Sequence, residues 1–258
     1  PEKVIYSKYA TFEPFSKTQR FNELSRTSKD YEYSTNFIKK FKKDGHKLTV
    51  DGSFSQNNDL ENSIISGTGI EPVKSFISSE STYSNQKQNR STVQSDYVLP
   101  LGKNSQFEAG FRGNYLTLLS EYRVEEDLLG DGNFTVNTNF TNTLEYKENV
   151  SALYSQFGSK INKFSYLIGM RFENSKIVIN QLTTQDFNTK KYDNFFPSAF
   201  LTYEIKDGSS VSLNYSKRIT RPRGRFINPF SSYSSNINLF VGNPDLDPKT
   251  IDRFVAKA

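Results

Sequence analysis

The side chains that could carry out chemistry in this chain are one histidine, a short acidic segment and a group of arginines. His46 is the only histidine, and the chain has no cysteine. Catalytic triads and histidine-based metal sites need several convergent groups. We therefore expect no enzyme activity and predict no catalytic residue, no cofactor site and no metal site. The absence of cysteine also excludes disulfides and thiolate-bound metals.

An acidic segment with interspersed glycines could suggest a calcium-binding loop of oxygen ligands. Its spacing differs from the EF-hand pattern of alternating ligands followed by a distal glutamate. A solvated external loop is the favoured interpretation, and calcium binding is the alternative. The residues are Glu125, Glu126, Asp127, Gly130, Asp131 and Gly132.

Three arginines alternate in the sequence just beyond an alternating segment. Arg221, Arg223 and Arg225 would share one face if the backbone stays extended, and Tyr233 and Asn236 follow in the same predicted loop. Such a face could bind an anionic or sugar-like solute, or the head groups of lipopolysaccharide. The favoured alternative is a solvated loop that makes weak exposed ion pairs with acidic neighbours.

The segments that would position these residues alternate between apolar and polar side chains. From Gln106 to Ser120, for example, one face carries Phe107, Phe111 and Tyr115, and the other carries Glu108 and Arg112. A period of two indicates a strand with one apolar face. Three further segments alternate in the same way, namely residues 164–173, 195–206 and 210–219.

The length of these segments favours a membrane β-barrel. A tilted transmembrane strand needs about 9 to 11 residues, whereas strands of soluble sandwiches are typically about 5 or 6. The mean hydropathy of −0.66 does not argue against a barrel, because only every second residue meets lipid. Fifteen Tyr and 22 Phe could form girdles at the two interfaces. A soluble β-sandwich, such as an adhesin or lectin domain, is the less favoured alternative.

Two other classes are not supported by the composition. No run of about 18 apolar residues exists, so the sequence excludes a transmembrane helix. The net charge of +5 comes from 33 basic and 28 acidic residues spread along the chain, so we expect no nucleic-acid partner.

The turn signals predict which end of the barrel wall, that is, of its sheet of strands, faces the periplasm. Tight turns are predicted at Asp44–Gly45, Gly102–Asn104, Gly158–Asn162 and Asp207–Gly208, and long loops at residues 57–72, 124–139, 179–191 and 220–248. In outer-membrane barrels short turns face the periplasm and long loops face outward. Residues 73–99 are too long for one simple crossing, and we interpret their first part as a hairpin projecting above the membrane. A β-bulge or an irregular segment is an equal alternative.

These signals predict a single all-β domain over residues 1–258. It is an antiparallel transmembrane β-barrel of about eight strands plus the start of a ninth. Residues 1–30 would be a loop or strand remnant, and residues 31–258 the strands. The truncated ninth strand at Phe254–Ala258 would leave an unpaired edge in lipid. We therefore expect the chain to be part of a larger barrel and of a longer polypeptide.

A run of motifs near the end of the chain resembles the barrel of TonB-dependent outer-membrane receptors. The first is Leu213–Pro222, the second Ile227–Phe230 and the third Gly242–Pro248, and an upstream segment at residues 37–50 resembles a hairpin of the same β-barrel family. The prolines restrict the backbone where strands leave and re-enter the wall, so we assign the motif a structural role. Its residues are Arg221, Pro222, Asn228, Pro229, Phe230, Gly242, Asn243, Pro244, Leu246 and Pro248.

The resemblance implies a Gram-negative outer-membrane receptor with roughly 22 strands and a plug inside the barrel. Such receptors import a scarce nutrient, here a siderophore, an oligosaccharide or a peptide, with energy delivered by TonB from the periplasm. The implied partners are outer-membrane lipid, a plug from the same polypeptide and TonB. No plug or TonB-contacting segment is recognisable in the 258 residues. The alternative is a structural barrel that docks a partner such as a surface lipoprotein.

Overall fold

The chain forms a long antiparallel sheet in the computed structural model, which describes residues 2–10, 13–222, 224–227, 232–233, 239–240, 242–243 and 245–257. One helical turn and several very short strands lie within the connections. The elements are β1 (Glu2–Ala10), β2 (Glu13–Lys40), β3 (Lys47–Glu71), β4 (Ser75–Pro100), β5 (Ser105–Asp127), β6 (Thr135–Val136), β7 (Asn142–Ile161), β8 (Phe164–Gln181), β9 (Asp186–Lys206), β10 (Ser209–Thr220), α1 (Gly224–Ile227), β11 (Ser232–Tyr233), β12 (Leu239–Phe240) and β13 (Lys249–Lys257).

The sheet follows the order of the chain. Its path is β1-β2-β3-β4-β5-β7-β8-β9-β10-β13, with β6 paired to β5 and with β11 and β12 forming a separate pair. Among the described residues β1 and β13 are the two edges, and the sheet does not close. No helix in this part of the chain has the length and apolar content to cross a lipid bilayer. The predicted antiparallel all-β fold is confirmed.

One face of the sheet carries a continuous apolar band, and we call it the outer face. Paired residues point to the same side, so Phe111, Leu153, Phe172 and Phe195 form one row across β5, β7, β8 and β9. Leu153 and Phe195 are 62% and 61% exposed, as lipid-facing side chains must be. On β8 the band runs from Phe164 to Phe172, nine residues, which is the length of a tilted transmembrane strand.

Aromatic rings lie at both ends of this band. Near the short-turn end, the Phe41 and His46 rings stack with centroids 4.1 Å apart, and His46 Nε2 lies 2.9 Å from the Tyr97 hydroxyl. At the other end, the Phe172 and Phe195 rings lie 4.9 Å apart. These rings match the girdles expected at the two interfaces. The histidine therefore belongs to an aromatic cluster at the rim.

All four predicted tight turns occur, and they lie at the same end of the sheet. They connect β2 to β3, β4 to β5, β7 to β8 and β9 to β10. Gly45 and Gly208 have φ values of 73° and 77°, which glycine adopts at little cost. The third turn is shorter than expected, because β7 continues to Ile161 and only Asn162 and Lys163 separate the two strands.

At the opposite end of the sheet, the observed connections differ from three of the predicted long loops. Residues 57–71 belong to β3, and the predicted loop at 179–191 is a turn of four residues between β8 and β9. The predicted loop at 124–139 is shorter than expected, because β5 extends to Asp127. Residues 2–10 and 13–30, for which a loop or strand remnant was predicted, lie in β1 and β2. Residues 57–71 are mostly polar and lack the regular alternation of apolar and polar side chains on which strand prediction depends.

Strands β3 and β4 form the projecting hairpin expected for residues 73–99. They pair continuously from Lys47 with Val98 to Gly69 with Ser75, apart from one register shift near Gly67. Strands β2, β3 and β4 have 28, 25 and 26 residues, far more than a membrane crossing requires. The sheet therefore continues well beyond its apolar band on the long-loop side, with polar residues on both faces.

A tyrosine on the inner face links three strands. Tyr154 of β7 is paired with Gly110 of β5, and its hydroxyl donates a hydrogen bond to Asp96 of β4. A Cβ at position 110 would lie 2.5 Å from the Tyr154 ring and from the Ser95 carbonyl oxygen. The missing side chain at Gly110 therefore lets Tyr154 reach across β5.

We predict that Gly110→Ala destabilises the folded wall by about 1–3 kcal/mol, because the new methyl group must displace Tyr154 or the backbone of β4. The full-length protein, folded in detergent micelles, is unfolded with denaturant and followed by circular dichroism. Gly52→Ala is the matched control, since its Cβ would meet only the Thr35 methyl group, at 3.3 Å. In a Tyr154→Ala background, Gly110→Ala should lower the free energy of unfolding by a smaller amount. An unchanged loss would exclude a clash with the tyrosine as its cause.

Candidate functional site

The connection after β10 crosses the inner face of the wall. Ile227 of α1 is 5% exposed and packs with a buried apolar cluster above the level of the apolar band. The cluster consists of Leu144 and Tyr146 on β7 and Ile177 and Ile179 on β8, and Leu116, Leu118 and Tyr192 pack around it. Burial of these side chains stabilises a connection that would otherwise extend into solvent.

The polarity of the two faces reverses along β7 and β8. Within the band the inner positions are polar, such as Gln156 and Arg171, and the outer positions are apolar. Above the band the inner positions become Tyr146 and Ile177, while the outer positions become polar, such as Lys176. Lipid covers the outer face below, and the connection covers the inner face above. Each apolar surface is therefore removed from water by a different neighbour.

Arg221 anchors the start of the connection to carboxylates on the inner face. Its guanidinium pairs with Glu173 of β8, donates a hydrogen bond of 2.8 Å to the Ser175 hydroxyl, and lies 3.9 Å from Glu148 of β7. Glu173 is 4% exposed and also accepts from Arg171, at 2.7 Å. A buried carboxylate needs such partners because an unpaired charge away from water is costly.

A second contact anchors the end of the connection. The Lys190 ammonium group of β9 donates to the Leu246 carbonyl oxygen at 3.0 Å and lies 3.2 Å from Asp247. The backbone amide of Asn243 donates a hydrogen bond to the Phe226 carbonyl oxygen at 2.7 Å. This bond joins the third motif, Gly242–Pro248, to α1. Both ends of the connection are therefore held against β7, β8 and β9.

These contacts locate several predicted site residues. Arg221 and Pro222 are half-buried, Gly242 is buried, and Leu246 is 40% exposed. A shared face for the three arginines required an extended backbone, and this condition is not met, because residues 224–227 form the helical turn α1. Arg225 lies in α1 and Tyr233 in β11, whereas Arg223, Asn228, Pro229, Phe230, Asn236 and Pro244 lie outside the described residues. A ligand role for this group stays a prediction.

Three wall residues that complete the Arg221 site carry no signal in the sequence. Glu148, Glu173 and Ser175 are single polar residues at inner positions of long strands. The alternation places them on the polar face, but nothing in the sequence pairs them with an arginine that lies much later in the chain. That pairing depends on the path of the connection across the inner face.

The inner face within the band is lined by polar side chains joined by hydrogen bonds. Gln156 donates to Glu108 at 2.6 Å, and Gln94 donates to Asp96 at 2.8 Å. A cavity of about 290 Å³ lies beside them, and its lining includes Gln94, Arg112, Gln156 and Arg171. This surface can contact water and polar solutes, in contrast to the apolar outer face.

Hydrogen bonds between backbone amides and the Asp127 carboxylate stabilise the acidic loop. Asp127 is 4% exposed and accepts hydrogen bonds from the amides of Leu129, Gly130 and Gly132 at 2.7–3.1 Å. Hydrogen bonds from the Asn133 amide and side chain lower the pKa of the Asp131 carboxyl. Within the described residues, no three acidic or histidine side chains converge as a metal site would require. Calcium binding by this loop stays an untested alternative.

We predict that Arg221→Ala loosens the connection, because Glu173 then loses one of its two guanidinium partners. The expected cost of about 2 kcal/mol would raise the rate of proteolytic cleavage between residues 222 and 248 by about thirtyfold, if cleavage follows local opening. Arg218→Ala is the control, since the structure shows no ion pair between Arg218 and any other described residue. Equal cleavage rates for the two variants would contradict the anchoring role.

The model of the outer membrane protein beta-barrel family matches residues 39–257, more than half of the chain. No curated protein matches. Among solved structures, the chain is similar to the ferric citrate transporter FecA in the unliganded form, with 15% identity and a TM-score of 0.47. The alignment covers 80% of this chain and 28% of that transporter, so this chain spans only a part of its length. The chain belongs to the outer membrane protein beta-barrel family and is an integral protein of the outer membrane.

Proposed function

We propose that this chain is part of the wall of a TonB-dependent transporter, which captures a nutrient outside the cell and passes it through a gated lumen. The proposal concerns transport and not catalysis. The observation that carries it is the inward-folded connection, which is fixed to β7 and β8 through Arg221 and Ile227. A segment held across the inner face narrows the lumen where a solute would enter.

The chemistry of the inner face supports the same proposal. Amide, carboxylate and guanidinium groups line it within the membrane band, including Gln94, Glu108, Arg112 and Gln156. Such a surface hydrogen-bonds to hydrated polar solutes and to a protein plug alike. It does not distinguish a siderophore from an oligosaccharide or a peptide, so the solute class is left open.

The open edges of the sheet support a larger barrel. In the described ranges of the chain, β2 at the level of the apolar band is paired only with β3, because β1 pairs with β2 only from Glu13 to Asn22, and β13 is paired only with β10. Unpaired backbone groups cannot remain in hydrocarbon. Further strands would complete the wall, and a barrel of roughly 22 strands leaves a lumen wide enough for a plug. The plug and TonB are accordingly the partners that the proposal requires.

A docking barrel for a surface protein is the second candidate. The observation that favours it is the height of β2, β3 and β4, which extend far beyond the apolar band. This upper wall presents polar residues on both faces. A surface lipoprotein could dock there with or without transport through the lumen.

Binding to TonB distinguishes the two candidates without knowledge of the solute. The full-length protein is purified from its native outer membrane, its intact mass is measured, and its binding to the immobilised periplasmic domain of TonB is recorded. An unrelated porin in the same detergent is the control. A transporter should bind saturably and carry a plug upstream of the wall. Absence of binding, together with a lipoprotein that copurifies in equal amount, would support the docking barrel instead.

A further inference from the structure

Two lysines of the outer face are directly opposed on neighbouring strands. The register of β8 and β9 pairs Lys176 with Lys191, and Lys176 is also paired with Asn149 of β7. Asn149 in turn is paired with Tyr115 of β5. All four are outer-face residues, so a tyrosine, an asparagine and two lysines form one row across four strands.

The two lysines have no carboxylate partner within the described part of the chain. Both side chains are exposed. The nearest outer-face carboxylate, Asp193, lies two residues from Lys191 on β9 and accepts a hydrogen bond from the Asn174 side chain at 2.7 Å, so it offsets at most one of the two positive charges. Lys147, on the adjacent strand, is neutralised by Glu145 at 2.7 Å. Like charges directly opposite one another destabilise a sheet, and a bound anion would remove that repulsion.

The height of the lysine pair matches the head-group layer. Lys176 lies four residues above Phe172, and Lys191 lies four residues above Phe195, where the apolar band ends. Four residues correspond to roughly 13 Å along a strand, or about 9 Å in height at a tilt near 45°. Lysine side chains reach back toward the interface along their aliphatic stems. Both ammonium groups can therefore reach the phosphates of the outer leaflet.

A lipid-facing groove lies beside the pair, below Tyr115 and Asn149, and Phe172 of β8 lines it on the side of Lys176. It has a volume of about 560 Å³ and is lined on the outer face by Ser95, Ala109, Phe111, Leu153, Ser155, Met170 and Phe172. Cations beside the upper end of a mainly apolar groove match a molecule with phosphates and several acyl chains.

We propose that Lys176 and Lys191, with the groove beside Lys176, bind one phosphorylated glycolipid of the outer leaflet. The phosphate lies between the two ammonium groups, Asn149 on the adjacent strand supplies a further hydrogen bond, and an acyl chain occupies the groove. The site is formed by the outer face alone, so it is independent of the proposed transport. It would orient the barrel in the membrane and add lipid support to the strands that hold the connection.

The test uses the full-length protein in nanodiscs of phosphatidylcholine, titrated with bisphosphorylated lipid A and with its dephosphorylated form. Lipid bound per protein is measured by native mass spectrometry. Lys176→Gln combined with Lys191→Gln should weaken binding of the phosphorylated form about tenfold, since each basic residue near a membrane surface contributes a several-fold gain in affinity. Lys74→Gln combined with Lys87→Gln is the control, because both lysines are exposed and lie farther above the band on the same side.

Three outcomes would overturn the site. These are equal binding of phosphorylated and dephosphorylated lipid A, binding by the double variant within twofold of the wild type, and an equal loss in the control pair. Thermal unfolding without added lipid A is measured for every variant. Because removing a like-charge pair relieves repulsion, the double variant should be at least as stable as the wild type, which separates lost binding from misfolding.

Discussion

The structure depends on the requirement that backbone hydrogen bonds be satisfied inside a membrane. Hydrocarbon offers no partner for an N–H or C=O group, so strands that cross it must pair along their whole length. The pairing of β5 with β7 runs without a register shift from Ser105 to Tyr122. Because side chains alternate with a period of two, this register also decides which residues face lipid, and a slip by one residue would exchange the two faces.

The apolar surface of the wall changes sides where the membrane ends. Below that level, lipid covers outer residues such as Leu153 and Ile168; above it, Ile227 covers inner residues such as Tyr146 and Ile177. The charged anchor at Arg221 lies between these two zones, where Glu173 is shielded from water by the connection itself. Buried charges of this kind specify one position for the connection, because every displaced arrangement leaves Glu173 with fewer partners.

The site was predictable only in part, for a physical reason. Arg221 stood out as one of three alternating arginines and as part of a motif whose prolines indicated that the strand leaves the wall. Its partners Glu148 and Glu173 carry no local signal, since a polar residue on an inner strand position is compatible with water, with a ligand or with an ion pair. The helical turn at 224–227 was equally hidden, because four residues between prolines have no periodicity to detect.

The sequence by itself determined the strands of the apolar band, the four tight turns and, within those strands, which residues share the apolar face. Those properties follow from period-two alternation and from local backbone preferences of Gly and Asn, both encoded over a few residues. The tertiary structure alone decided how far β2, β3 and β4 continue as polar strands, which carboxylates receive Arg221, and that Lys176 opposes Lys191. These features depend on register and on contacts between residues distant in sequence, and no local pattern carries that information.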